Sequence, residues 1–303
     1  MNPLVCNVCR GELAVRYPEV KDPITNEVFS IYKCVQCGVG HTVSHPENIS
    51  KYYDGVYYGN RHGFTNAYCI RRRVNLVNSI RRPDDVCRLL DIGCGDGSFL
   101  SEMKKNGWGV AGVEINPNVK SGEDFVIKSA IEEFVNEPLF DCVVMWHVFE
   151  HMGDVNVALK KINQVLKPGG MLIVAVPNNE SIQARIFKGK WLPLDVPRHL
   201  YHFDKSSLAY CLEKAGFNVA DYKYQELEYD LMGWVQSGLN TMFSSQNIFL
   251  DYVTGKNAGQ GWFINALNLA LGSFFTLLSL PAVLVERLFQ RSGTIIVAAK
   301  KKG

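Results

Sequence analysis

Two groups of residues have the types and spacing to do chemistry. The first is Cys6-x-x-Cys9 with Cys34-x-x-Cys37. Two such pairs at this separation make a tetrahedral site of four thiolates, the ligand set of a closed zinc centre. Four protein ligands leave no open position, so the expected metal is a structural zinc. The second group is Asp91-Ile92-Gly93-Cys94-Gly95-Asp96-Gly97-Ser98, which follows a short apolar run. Glycines at 93, 95 and 97 allow a sharp turn and a close ligand approach, because no Cβ intervenes. A dinucleotide-binding loop of the G-x-G-x-x-G type would place glycine at Ser98. A phosphate cradle has no use for the carboxylate of Asp91, whereas a ligand carrying an ammonium and a sulfonium does. A second acid, Glu114, ends the next apolar run beside Ile115, where it can accept hydrogen bonds from both hydroxyls of a ribose.

Fewer residues are candidates for moving a proton. His147 follows a later apolar run, beside Trp146, and titrates near neutrality. Trp191–Asp204 (WLPLDVPRHLYHFD) is dense in aromatic and polar groups. Its Trp191, Arg198, His199 and His202 are candidates to meet an acceptor, and His199 is a second candidate for catalysis. Glu150 and His151 are read as stabilising their own turn. The run Arg71, Arg72 and Arg73 is read as a solvated helix face.

These groups need elements to hold them. Strands are expected at 88–92, 109–113, 125–128, 140–146, 171–176, about 217–224 and 293–299. Helices are expected at 65–80, 98–106 and 207–214. A further helix is capped by Asp154, carries Val155, Ala158, Ile162 and Val165 on one face, and is stopped by Lys167-Pro168-Gly169-Gly170. Strands alternating with helices imply a parallel sheet covered on both faces, with ligands at the carboxyl ends of its strands. The expected organisation is a zinc ribbon over 1–45, an aromatic linker over 46–64, and an α/β domain over 65–303. An apolar helical insertion is expected at about 225–292.

The stretch from Leu89 to Asn178 resembles the class I S-adenosylmethionine-dependent methyltransferases. Asp91–Ser98 is similar to their first motif and Glu114 to their ribose-binding acid. Phe140–Met152 and Leu166–Asn178 are similar to their fourth-strand and fifth-strand motifs. The resemblance implies a Rossmann-like sheet, S-adenosylmethionine as cofactor, and contacts from Asp91, Gly93, Cys94, Gly95, Gly97, Glu114, Ile115, Trp146 and His147. It implies a final strand inserted between the fifth and sixth. Many relatives hold the adenine amine with an acid after the third strand. This chain has Ser129-Ala130, so the contact is expected from Ser129 or from backbone groups. Trp191–Asp204 is similar to a signature of a subgroup tied to cell-envelope glycan or lipid pathways. A small-molecule or lipid-linked acceptor is therefore expected. An oxidoreductase using NAD and a non-catalytic zinc-ribbon adaptor remain the alternative readings.

Composition narrows the partners. The chain has 303 residues and a net charge of +2. Residues 1–45 hold four basic and four acidic side chains, so no nucleic-acid partner is expected. Nine cysteines and no basic-then-apolar leader point to the cytoplasm. Phe263–Val285 carries no formal charge over 23 residues. Because strands of one sheet flank it, a single membrane crossing is not expected. Residues 262–289 should instead make peripheral contact with the inner face of a membrane, or be buried in the fold or in a homodimer contact.

Overall fold

The computed structural model describes residues 4–44, 46, 49–52, 65–80, 87–135, 139–224, 226–243, 247–253 and 262–303. Most of the expected aromatic linker lies outside these residues. The chain divides into two compact units.

One unit comprises residues 64–176, 208–222 and 296–303. It opens with α1 (Asn66–Asn78), β4 (Arg88–Ile92), α2 (Ser98–Lys105), β5 (Gly109–Val113) and β6 (Val126–Ile127). There follow β7 (Phe140–Trp146), α3 (Val155–Val165) and β8 (Leu166–Pro177). Later come α5 (Lys205–Lys214), β10 (Phe217–Lys223) and β11 (Thr294–Lys301). The sheet order is β10-β11-β8-β7-β4-β5-β6, so the last strand lies between the fifth and sixth of the expected series.

Continuous apolar runs explain the sheet. Leu89, Cys142, Val144, Ile173 and Ile296 form one core with Val74 and Val77 of α1 and Phe99, Leu100 and Met103 of α2. The intervening Leu90, Val143 and Val174 are equally buried. A strand whose odd and even residues are both buried is covered on both faces. Asp154 caps α3 as expected, accepting from the backbone N–H groups of Asn156 and Val157. The stop signal sits differently. Helix α3 ends at Val165, and Lys167–Gly170 lie inside β8. Phe140 pairs with Leu166 but Cys142 with Met171, so β8 absorbs the extra residues in a bulge, where Gly169 takes a φ of 73°.

The other unit comprises residues 1–63, 177–207 and 223–295. It contains β1 (Leu13–Lys21), β2 (Val28–Cys34), β3 (Gly40–Val43), α4 (Ile182–Phe187) and β9 (Tyr201–His202). The order β1-β2-β3-β9 joins the ribbon strands to the Trp191–Asp204 stretch in one antiparallel sheet. Asp22 makes the β1–β2 turn, accepting from the N–H and hydroxyl of Thr25. Three further helices, α6 (Leu227–Met242), α7 (Ile248–Val253) and α8 (Trp262–Leu288), form the apolar insertion. Asp204 accepts from the Ser207 N–H at 2.8 Å, the cap expected for α5.

Candidate functional site

The carboxyl ends of β4, β5 and β7 are level: Ile92 pairs with Val113 and with Met145. This register brings Gly93, Glu114, Trp146 and His147 to one edge of the sheet, where ligands of parallel sheets bind. Gly93, Gly95 and Gly97 have φ of 72°, 58° and 85°, values that only glycine adopts freely. A Cβ at Gly93 would strike Val148, while one at Gly95 would meet open space. The loop is thus held on one side and open on the other. Gly97 delivers the chain into α2.

Asp91 is buried, and its Oδ1 has no hydrogen-bond partner. Burial pushes its carboxyl up to about 8; Arg73 opposes the shift and Glu114 adds to it. Burial, then Asp91 and Glu114, also push the Cys94 thiol up. An unpartnered carboxyl of this kind is costly unless something cationic completes it. Glu114 has two backbone partners, Gly95 N–H at 3.0 Å and Asn116 N–H at 2.8 Å. Each carboxylate oxygen keeps a second lone pair for a ribose hydroxyl. Ile115 is exposed. The Ser129 hydroxyl donates to the Ala130 carbonyl at 2.9 Å, leaving its oxygen free to accept from an adenine amine.

Trp146 packs edge-on against Phe99, and the Arg73 guanidinium lies 4.8 Å from its ring centroid. Arg73 is therefore not simply part of a solvated face, which corrects the reading of the arginine run. Nothing in the Arg-Arg-Arg stretch singles it out, because its contact is tertiary. His147 takes a φ of 55° and donates its backbone N–H to Ala175. Its Nδ1 lies 3.5 Å from Glu150 Oε1. Glu150 thus sits against the imidazole, a contact signalled by the three-residue spacing.

The Trp191–Asp204 stretch, in the other unit, is placed differently from expectation at two residues. Trp191 belongs to a core with Val20, Phe29, Ile31 and Tyr52, and its Nε1 donates to Gln183 at 2.9 Å. Arg198 is 1% exposed and pairs with Asp22 at 2.9 Å and Asp195 at 2.6 Å. Both side chains are held inside this unit: the indole fills a core, and the guanidinium bridges two carboxylates. His202 is buried, and its Nε2 lies 2.9 Å from Thr42 Oγ1. Burial, then His199, Arg16 and His41, hold it well below the usual histidine range, so it is neutral. His199 Nδ1 lies 2.9 Å from the Pro193 carbonyl, and its Nε2 3.8 Å from Asp195.

Cys6, Cys9, Cys34 and Cys37 bring their sulfurs within 4.8 Å of one another. Cys6 and Cys37 are 3.6 Å apart, and Cys9 and Cys34 are 3.4 Å apart. A zinc with bonds of ~2.3 Å to four sulfurs sets tetrahedral edges of roughly 3.8 Å. The N–H groups of Val8 and Gly11 point at Cys6 and Cys9, and His41 Nε2 lies 3.2 Å from Cys6. The cluster fits a zinc and its outer hydrogen-bond shell.

A family model described as a methyltransferase domain matches residues 62–222. The chain belongs to the methyltransferase-domain family. Its α/β fold is the Rossmann-like one of class I methyltransferases that use S-adenosylmethionine. Among relatives of this chain is the ubiquinone biosynthesis O-methyltransferase of Brucella anthropi. It is 29% identical over 157 residues, 46% of this chain and 63% of that one. The enzyme of that name from Cereibacter sphaeroides is 27% identical over 191 residues, 57% and 74% of the two chains. The chain thus spans less than two thirds of the Brucella anthropi relative's length. Among solved structures, a SAM-dependent methyltransferase from Archaeoglobus fulgidus is similar at a TM-score of 0.48 and 19% identity. That match covers 78% of this chain and 98% of that one.

Proposed function

We propose that this chain transfers the methyl group of S-adenosylmethionine to a small-molecule acceptor, a sugar or lipid-linked hydroxyl compound included. The observation that carries the reading is Asp91: a buried carboxyl with an unpartnered oxygen, at the end of β4, beside three left-handed glycines. That arrangement suits a cationic ligand and disfavours a pyrophosphate. NAD binding, the main alternative, would set that pyrophosphate's charge near Asp91.

When bound, the cofactor supplies a methyl group already activated by its sulfonium. The residues of the chain bind, orient and accept a proton. Asp91 and the loop from Gly93 to Gly97 hold the amino-acid end, with Cys94 beside them. Glu114 and Ile115 take the ribose, and Ser129, Ala130 and Trp146 the base. In-line displacement needs chiefly positioning, worth about 7–11 kcal/mol in favourable cases. For a hydroxyl acceptor, a proton must also leave. His147, oriented by Glu150, accepts it and contributes roughly 10²–10⁴-fold. His199 is the second candidate, and His202 shapes its loop. The cysteine cluster holds one structural zinc, and the enzyme works at the cytoplasmic side of the cell.

Calorimetry against S-adenosylmethionine and NAD tests the cofactor. Mass spectrometry of cell extracts, incubated with the enzyme and an isotopically labelled methyl donor, tests the acceptor class. Binding of NAD without S-adenosylmethionine would overturn the proposal. So would the failure of any adenosyl cofactor to bind, which would favour an adaptor.

A further inference from the structure

Helix α8 is built inside out. It covers 27 residues and contains a 20-residue span, Leu269–Leu288, of mean hydropathy 1.8 that is only 22% buried. Several inward positions are small or polar. Gly272 and Ser279 are buried, and a Cβ at Gly272 would collide with Phe249. Buried Glu286 accepts from the Gln183 backbone and side chain and from Trp234 Nε1, at 2.8, 2.9 and 2.9 Å. Val283 is also buried, and Leu271 and Phe275 pack against a small core of Val235, Leu239 and Phe249. The outward positions are leucine and phenylalanine: Leu269, Phe274, Leu277, Leu278, Leu284 and Leu288 are all exposed.

The neighbouring helix repeats the pattern. In α6, Asp230, Gln236, Ser237 and Asn240 are buried beside Val235 and Leu239, while Met242 is exposed. Gln236 Nε2 donates to Asn240 at 2.8 Å, and its Oε1 accepts the Leu250 N–H at 2.8 Å. Polar groups thus pair beside a small apolar core within the helical insertion, and the outward face of α8 is apolar. In water the hydrophobic effect drives the opposite arrangement. Close packing of small residues, with hydrogen bonds between helices, is how helices associate where the surroundings are apolar.

We infer that α8 docks on a lipid bilayer, lying in the interface with its outward face among the acyl chains. The width of that face selects lipid over a second copy of the chain. At about 100° per residue, the exposed apolar positions sweep roughly half the helix circumference. A seam with one partner helix needs only the narrower a/d stripe, whereas a bilayer takes up the whole arc. The ends of the face agree with the charge of a membrane surface. Leu269–Leu284 carries no charged residue, and exposed Arg287 and Arg291 follow, placed to meet anionic headgroups. The topology excludes a single crossing. The insertion leaves from β10 and returns to β11, which are neighbours in one sheet, so both of its ends stay on one side. This inference does not rest on the methyl-transfer reading, and its test reads no activity.

The full chain is floated on a sucrose gradient with vesicles of phosphatidylcholine alone, or with a third of phosphatidylglycerol. The protein is expected to float with the anionic vesicles. Leu277→Glu with Leu284→Glu should lower the floated fraction at least tenfold. Both side chains point outward, so melting temperature should be kept. Arg287→Gln with Arg291→Gln should lose the preference for anionic lipid. As a measurement independent of those variants, Leu277→Trp should be quenched by vesicles brominated on their acyl chains. Wild-type protein that stays in the dense fraction with both lipids would overturn the inference. So would a stable dimer that Leu277→Glu with Leu284→Glu splits into monomers, or an unquenched Leu277→Trp.

Discussion

The hydroxyl of Thr42 donates to the backbone carbonyl of His199 at 2.7 Å, and the same oxygen lies 2.9 Å from His202 Nε2. Thr42 belongs to β3 of the ribbon, one residue from His41, whose Nε2 meets Cys6. The cysteine cluster is therefore tied, through one strand, to the segment that carries both histidines. Thr42→Val removes the donor and orphans a buried carbonyl. It should cost about 1–3 kcal/mol of stability. Hydrogen exchange should rise at residues 199–203, with cofactor affinity kept. If exchange there stays unchanged, the tie does not restrain the segment.

Metal removal should act along the same path. Purified protein is expected to contain one zinc per chain. Chelation should raise amide exchange in residues 5–11 and 34–43 first, then in 199–203, while β4 and β7 remain protected. Elemental analysis finding no zinc, with all four thiols freely reactive, would refute the assignment.

The two acids at the sheet edge should each matter to cofactor binding. Asp91→Ala and Glu114→Ala each remove a charged hydrogen-bond partner, worth about 1.5–3 kcal/mol, or roughly 10–150-fold in Kd. Glu114→Ala also frees the Gly95 N–H, so it should loosen the loop as well. Unchanged affinity in both folded variants would sink the placement of the cofactor.

Asp91 makes pH a second probe. Its folded pKa, about 8, lies above its ordinary value of 3.8. The folded state therefore holds a proton that the unfolded chain releases, and stability falls as pH rises between these values. Asp91→Asn removes that penalty, so the cofactor-free variant should melt a few degrees higher than wild type at pH 8. Near pH 4 the two should melt alike. Binding a cationic cofactor at pH 7 should expel the proton, seen as a binding enthalpy that depends on the buffer. An enthalpy independent of the buffer would mean that Asp91 is already ionised.

His147→Gln should lower kcat by about 10²-fold or more, with cofactor affinity nearly kept. Glu150→Gln should lower it less and shift the pH profile, since Glu150 acts through the imidazole. Normal turnover by His147→Gln would leave catalysis to positioning alone.

The sheet was readable because its signals are local. Strands β4, β5 and β7 fall where short apolar runs place them, and Asp154 and Asp204 cap helices from their own sequence neighbours. The candidate cofactor loop was readable for the same reason: a strand-end acid and glycines at fixed spacing. What local patterns concealed was tertiary. Arg73 over Trp146 and Arg198 between Asp22 and Asp195 depend on residues far along the chain. A buried arginine and an exposed one look alike until the carboxylate that neutralises it is known. The pairing of β3 with β9 was hidden because two residues of strand leave almost no periodicity. The apolar run of α8 was plain, but its inward polar face emerged only with the positions of Gln183 and Trp234.

The place of β11 bears on the order in which the molecule is made. It forms hydrogen bonds on both sides, to β10 and to β8, yet it follows α8 in the chain. The ribosome therefore extrudes the whole apolar insertion while the sheet still lacks the strand next to its β10 edge. Until Thr294–Lys301 emerges, β8 has one open edge and β10 has no neighbour. During that interval the nascent chain exposes an unpaired strand edge together with a greasy helix, the two features that most invite aggregation. Early capture of α8 by a membrane or a chaperone would shelter the growing chain, and synthesis in a membrane-free translation system should give less soluble product than synthesis with vesicles present.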